Sequence, residues 1–354
     1  MKINIIIPFT SLTGGIRVIF LYANYLYKKG YDVVCYVPKI SYRFDMNNWR
    51  LFKNIVKNTF FYKKFANWFD NDFKIISVPI ISNYFIRDAD IVIATAWPTA
   101  NDVYKLDKSK GEKIYFIQAY EIFSGAKLDV DKTYKLGLHN ITVTKQLQSF
   151  LNKEFNTDST VIYNGLSESE FITKPKVRNR IPKILMLANG SPGKGLKEGL
   201  DILDKLSKKY KIKVTLFGTD YLDSIPKSYS FYHLPKRSEL MKLYEEADIY
   251  LFTSKYESWG LPVLEAWGNK CGVVGMNTGV LKEIGVNNKN SIICDNYNEL
   301  YNGLEKVLDN DLLLAEIQNN GFNTAKKFNW NTSYELFENY LRSLIDEKSV
   351  NNNN

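Results

Sequence analysis

Short apolar runs alternate with stretches of helical spacing along most of the chain, the pattern of strands buried in a parallel sheet and the helices that cover it. The first run is residues 3–8. After the turn Gly14-Gly15, the apolar positions Ile16, Ile19, Phe20, Ala23, Leu26 and Tyr27 predict a helix, with Gly30 at its C-terminal cap and a second strand over 32–37. This strand, glycine turn, helix and strand open a doubly wound sheet. Further strands are predicted at 74–78, 91–95, 113–118 and 140–144. The run Val161-Ile162-Tyr163 ends in the turn pair Asn164-Gly165, and the polar, basic stretch 167–180 follows. That composition shift marks a domain boundary. From Lys183 the pattern restarts with a strand over 184–188, a glycine-rich loop over 189–195, a helix over 196–209 and a strand over 213–217. Next come a helix over 238–246 with Ser238 as N-cap, a strand over 248–252, and a strand over 273–275. Phe328-Asn329-Trp330 precedes a last helix carried by Tyr334, Phe337, Leu341 and Leu344. The pattern predicts an α/β chain of two domains, 1–165 and 166–330, with a disordered tail at 348–354.

Composition sharpens this picture by exclusion. The 354 residues are 45% hydrophobic and 14% aromatic, enough for two packed cores. Cys35, Cys271 and Cys294 are widely spaced and there are two histidines, so neither disulfides nor a zinc site is expected. The opening apolar run is too short for a leader and ends in Pro8, and no run approaches the roughly 18 residues of a membrane span. A cytoplasmic protein follows as the expectation. The net charge of +9 favours an anionic partner: a nucleotide, an acidic lipid headgroup or nucleic acid. Within residues 41–69, Arg43, Arg50, Lys53, Lys57, Lys63 and Lys64 face the single acid Asp45 and are interleaved with Trp49, Phe52, Phe60, Phe61, Tyr62, Phe65 and Trp68. This is either a solvated basic face over a core face or a contact for an anionic membrane surface, which would place the protein at the inner face of a membrane. No nucleic-acid motif accompanies it, and no nucleic-acid partner is expected.

The candidate chemistry gathers in the second half. Tyr256-Glu257-Ser258-Trp259-Gly260-Leu261-Pro262-Val263-Leu264-Glu265 follows a predicted strand, and Pro262 suits the first turn of a helix. Two carboxylates thus bracket a strand–loop–helix turn, where backbone N–H groups of an α/β sheet meet anionic ligands. Gly193-Lys194-Gly195 lacks the spacing and the Ser/Thr of a P-loop. Read by itself it is either an exposed lysine in a turn or a diphosphate cradle built from amides, helix dipole and one ammonium. Gly14-Gly15 is either a tight turn or a place where a ligand approaches the backbone. Gln118, Tyr120 and Glu121 lie just beyond a strand's carboxyl end. No Ser–His–Asp, Cys–His or clustered Asp/His arrangement appears, so no metal and no cofactor is expected.

The run Glu257-Ser-Trp-Gly-Leu-Pro-Val-Leu-Glu265 resembles the Glu-x-Phe-Gly-Leu-Pro-x-x-Glu signature of the retaining GT-B glycosyltransferases, family four. Lys194-Gly195, Tyr163-Asn164-Gly165, Gly14-Gly15 and Phe328-Asn329-Trp330 fall in that family's order. The resemblance implies two Rossmann-like domains facing across a cleft, with helix 333–347 crossing back to complete the N-terminal one. It implies Glu265 as ribose ligand, Glu257 on the donor sugar and Lys194 on the diphosphate. Asn189, Gly190, Gly195, Ser258, Trp259, Gly260 and Leu261 would line the donor site, and Gly15 would admit the diphosphate. The partners implied are a nucleotide-diphosphate sugar and a glycan or lipid-linked glycan acceptor, with Gln118, Tyr120 and Glu121 toward the acceptor, and the transfer is metal-independent and retaining.

Two positions depart from that family. Its arginine before the Lys-Gly pair is replaced by the Asn189-Gly190 neighbourhood, which removes a bidentate diphosphate partner; Lys183 and Arg237 are the substitutes to test. Its first-domain histidine is replaced by Gln118 and Glu121. The phrase Phe116-Ile-Gln-Ala-Tyr-Glu121 resembles a subset acting on bacterial surface polysaccharides, rhamnosyltransferases among them. The reading is a hexosyl- or rhamnosyltransferase of cell-surface polysaccharide synthesis; the rivals are a catalytically silent GT-B partner subunit and a nucleotide-sugar epimerase.

Overall fold

The computed structural model describes residues 1–40, 42, 66–191, 193–220 and 222–351. Of the basic segment 41–69, all but residues 42 and 66–69 lies outside the described residues. The chain forms two compact units, Met1–Tyr163 with Ser333–Asn354, and Asn164–Thr332.

The first unit is a seven-stranded sheet of order β3-β2-β1-β4-β5-β6-β7. Its strands are β1 (Lys2–Ile6), β2 (Asp32–Pro38), β3 (Lys74–Val78), β4 (Ile91–Ala94), β5 (Glu112–Ile117), β6 (His139–Thr142) and β7 (Thr160–Val161), all paired in parallel. Burial of every residue of β1 after Lys2 reflects a sheet covered on both faces. Helix α1 (Gly14–Lys28) starts where Thr13 Oγ1 accepts the Ile16 amide at 3.2 Å, and it buries Ile16, Ile19, Phe20, Ala23 and Leu26. Gly30, at φ +88°, ends it. Helices α2 (Trp97–Lys105), α3 (Lys127–Thr133) and α4 (Lys145–Phe155) follow.

The second unit is a six-stranded sheet of order β10-β9-β8-β11-β12-β13, again parallel throughout. In chain order it contains β8 (Lys183–Leu187), α5 (Leu196–Lys209), β9 (Lys213–Gly218), β10 (Ser230–His233), α6 (Arg237–Glu246), β11 (Ile249–Phe252), α7 (Leu261–Gly268), β12 (Gly272–Met276), α8 (Gly279–Ile284), β13 (Ile292–Cys294), α9 (Tyr297–Leu308) and α10 (Asp311–Ala325). Ile184, Met186, Leu203, Leu206, Leu251 and Val274 lie in its core. Strand order reverses between β8 and β11, which pair through Ile249↔Ile184 and Leu251↔Met186. The loops leaving the carboxyl ends of these two strands therefore flank the topological switch point, where open α/β sheets take their ligands.

Helix α11 (Trp330–Asn351) carries the chain back from the second unit to the first. Within the first unit, Tyr25 and Tyr31 hydroxyls both donate to the Glu338 carboxylate at 2.7 Å, and Tyr22 and Phe337 rings meet at 4.5 Å. The helix continues to Asn351, so residues 348–351, read from sequence as disordered tail, are helical; 352–354 lie outside the described residues. The N-cap expected at Ser238 is also corrected. Helix α6 begins at Arg237 with Lys236 at the cap and no side-chain cap bond, so Ser238 sits inside the first turn. Among the described residues no helix is long and apolar enough to cross a membrane.

Candidate functional site

The site in the second unit is built from the loops after β8 and β11. Main-chain and hydroxyl bonds staple them together: the Lys255 amide donates to Gly193 O at 2.7 Å, and Thr253 Oγ1 donates to Lys194 O at 2.7 Å. Gly195 caps α5 at φ +69°, a conformation that disfavours any side chain, and a methyl group there would sit 2.3 Å from Thr253 O. Close backbone packing thus fixes where α5 begins and where its free amides point. Gly193, at φ +83°, lies under the ring of Tyr256, which is 78% exposed. Asn189 Oδ1 accepts the Ser191 amide at 2.8 Å, closing the turn on itself.

Lys194 and Glu257 meet on this platform, with Nζ 2.6 Å from Glu257 Oε2 and both side chains about one quarter exposed. Sequence reasoning assigned the lysine to a diphosphate and the glutamate to a sugar. The structure brings the two into contact, so each is the other's partner. At this exposure such a pair is worth only about 1 kcal/mol, which an incoming diphosphate can outbid. Gly260, at φ +90°, caps α7 and packs against Glu257 Cγ. The α7 amides that begin at Leu261 therefore face the same place. Ser258 is half-buried. Trp259 is buried, donates its indole N–H to Asn164 O at 3.0 Å and packs tilted against the Phe328 ring at 5.5 Å, so its side chain anchors the loop inside the unit.

Glu265 lies one turn into α7 and is 4% exposed. Its Oε1 is 2.7 Å from Arg237 Nη1, and Arg237 also reaches Glu170 Oε1 through Nε at 2.7 Å. Burial would depress the Arg237 guanidinium, but the Glu265 and Glu170 carboxylates outweigh it and hold its pKa above that of a free arginine. Both substitutes proposed for the family arginine have acidic partners of their own. Lys183 lies at the amino end of β8, opposite the loops, and pairs with Glu246 at 3.0 Å; Arg237 is committed to two acids. Sequence reasoning missed Glu170, although the spacing Ser167-x-x-Glu170 is a capping box that could have signalled an ordered turn there.

In the first unit, the turn after β1 and the residues after β5 come together. Gln118 Nε2 donates to Gly15 O at 3.2 Å, and a methyl on Gly15 would approach it to 3.3 Å; a methyl on Gly14 would meet nothing within 4 Å among the described residues. Glu121 does not project freely. Its Oε2 accepts the Trp97 amide at 2.7 Å at the start of α2 and the Tyr115 hydroxyl at 3.3 Å. Burial pushes its carboxyl up to about 7 against these two stabilising bonds. Tyr120 instead donates to Asp131 at 2.8 Å. Because the folded-state pKa of Glu121 is raised, folding takes up a proton and stability declines as pH rises from about 4.5 to 7. Glu121→Gln is expected to unfold at higher denaturant than wild type at pH 8, by about 1–3 kcal/mol, with most of the gain gone at pH 5. Urea titrations at the two pH values check this.

Known proteins resemble this chain in sequence and in fold. Residues 167–324 match the family model described as Glycosyl transferases group 1. Over 238 residues the chain is 26% identical to an uncharacterized glycosyltransferase of Methanocaldococcus jannaschii, covering 60% of this chain and 58% of that protein. Over 158 residues it is 26% identical to the O-antigen chain mannosyltransferase RfbU of Salmonella typhimurium, covering 41% of this chain and 44% of that protein. The chain thus spans about half the length of the curated relatives it matches. The crystal structure of HepE from Anabaena in complex with UDP-glucose aligns with a TM-score of 0.73 at 15% identity, over 97% of this chain and 100% of that one. The fold is GT-B, two Rossmann-like domains, and the segment matching glycosyl transferases group 1 covers most of the second unit.

Proposed function

We propose that this chain is a retaining glycosyltransferase that moves a sugar from a nucleotide-diphosphate donor to a glycan or lipid-linked glycan acceptor in cell-surface polysaccharide synthesis. The observation that carries the reading is the Lys194–Glu257 contact at the β8/β11 switch point, between the N-termini of α5 and α7. A cation and two helix N-termini converging there suit a diphosphate. Glu265, one turn further along α7, suits the ribose. The relatives' names support the class: one is an O-antigen chain mannosyltransferase, and a structural neighbour holds UDP-glucose.

In the proposed reaction the acceptor hydroxyl oxygen bonds to the anomeric carbon on the face from which the diphosphate departs. The bond from that carbon to the diphosphate oxygen breaks, and the diphosphate takes the hydroxyl proton. Lys194 and the loop amides stabilise the negative charge that develops on the leaving oxygen, while Glu257 orients the sugar hydroxyls. The residues do this without calling on a metal.

The test is a donor screen. Wild-type protein is incubated with UDP-, GDP-, ADP- and thymidine diphosphate-linked sugars, and transfer or slow hydrolysis is followed by mass spectrometry. Consumption of one donor with release of its nucleoside diphosphate, and an anomeric configuration retained in the product by NMR, is the expected result. Consumption with inversion removes the retaining assignment, and no consumption of any donor argues against the enzyme.

A further inference from the structure

The buried carboxylates of Glu170 and Glu265 share Arg237, whose own side chain is 34% exposed. The two carboxylate side chains are 6% and 5% exposed, and one guanidinium serves both. Nη1 is 2.7 Å from Glu265 Oε1, while Nε and Nη2 share Glu170 Oε1 at 2.7 and 2.5 Å. The second Glu170 oxygen accepts the Ser167 amide at 2.8 Å. Asn269 Nδ2 donates to both glutamate main-chain carbonyls, at 3.0 Å to Glu170 O and 2.9 Å to Glu265 O. Glu265 is therefore fixed through its backbone and through Arg237 on one carboxylate oxygen, and the Tyr244 hydroxyl also acts on its carboxylate. The rings of Tyr244 and Tyr250, packed at 5.6 Å, lie fully buried beside it.

The three side chains carry one formal negative charge in excess, and the Lys176 ammonium stands by on the main-chain carbonyls of Tyr244 and Asn269, each at 3.1 Å. Buried negative charge of that kind calls for hydrogen-bond donors. A ribose diol supplies two neutral donors, and a carboxylate accepts both only if it stays ionised and correctly turned. We infer that Arg237 is a positioning residue for the ribose-binding carboxylate: it holds Glu265 aimed, with Glu170 as the anchor that keeps the guanidinium in place. The inference rests on the proposed donor site and assigns its ribose contact a supporting pair that the two-glutamate motif does not contain. Arg237 touches Glu265 and acts through it.

The experiment measures nucleotide binding by calorimetry, using UDP, GDP, ADP and CDP each against its 2′,3′-dideoxy counterpart, and thymidine diphosphate against its 3′-deoxy form. For the nucleotide that binds, wild type prefers the hydroxylated sugar by about tenfold or more, the value of hydrogen bonds to a charged acceptor. In Arg237→Gln that preference falls to about twofold, while affinity for the deoxy ligand changes less than about threefold. A merely structural role would weaken both ligands alike and leave the ratio intact, and that result overturns the inference. Should Arg237→Gln fail to fold, Glu170→Gln keeps the guanidinium but frees its anchor and lowers the ratio severalfold; an unchanged ratio there also overturns it. Wild type that binds a nucleotide without preferring the ribose hydroxyls removes the ribose assignment of Glu265 while leaving the diphosphate site. Wild type that binds none of the five overturns the donor-site reading itself, and the inference with it.

Discussion

Glu257→Gln is expected to lower sugar transfer by about 100-fold while leaving nucleoside diphosphate binding as tight as wild type or severalfold tighter. The opposite signs follow from one contact. Lys194 Nζ lies 2.6 Å from Glu257 Oε2, so the free protein already gives the lysine an anionic partner. A diphosphate must displace that carboxylate to reach the ammonium. Replacing the carboxylate by an amide removes the competitor and helps the diphosphate, but it also removes the charged acceptor that orients the sugar in the transition state. Transfer then suffers where product binding gains. Lys194→Ala is expected to lose both, since it takes away the only side-chain cation placed on the loop after β8 among the described residues 188–195. Steady-state transfer rates and nucleoside diphosphate affinities for the two variants check this. Parallel losses in both variants would mean that Glu257 serves the diphosphate directly or the fold.

The second large effect is structural. Gly195→Ala is expected to destabilise the protein by about 3 kcal/mol or more and to reduce transfer by at least about tenfold. The residue sits at φ +69°, and the added methyl would lie 2.3 Å from the Thr253 carbonyl oxygen and 2.7 Å from the Tyr297 hydroxyl. The first of these is backbone and cannot swing aside. Relief requires the loop after β8 to move off the loop after β11, and that motion carries Lys194 away from Glu257. Gly190 offers the contrast. Among the described residues a methyl there meets only the flexible end of Leu222 at 3.1 Å, so Gly190→Ala should cost under about 1 kcal/mol. Urea unfolding of both variants, with circular dichroism as the signal, separates the cases.

Most of the sheet and the placement of the loops after β8 and β11 could be read from the sequence because the physics there is local. Buried parallel strands leave continuous apolar runs, and Gly195 and Gly260 occupy conformations that other residues disfavour. The edges of the second sheet escaped. Ser230–His233 alternates between exposed and half-buried over one short stretch, and Ile292–Cys294 is too brief for a period to show. The Lys194–Glu257 contact was not legible either, since it joins residues from two loops through strand order alone. The same holds for Arg237 and Glu170, whose partnership depends on where α6 begins. Ser238 reads as its cap, whereas the helix begins at Arg237, whose guanidinium pairs with Glu265. Glu121 shows the converse: its place after β5 suggested an exposed acceptor contact, while the structure spends its carboxylate on the first amide of α2.

The central claim is that the donor's diphosphate sits between the loops after β8 and β11, and a crystal structure of the complex with the nucleoside diphosphate released in the donor screen tests it most directly. The account predicts phosphate oxygens within hydrogen-bond distance of Lys194 Nζ and of the amides at the start of α5 or α7, Glu257 moved off the lysine, and the ribose hydroxyls on Glu265. A diphosphate bound elsewhere, with the Lys194–Glu257 pair still closed, would contradict it.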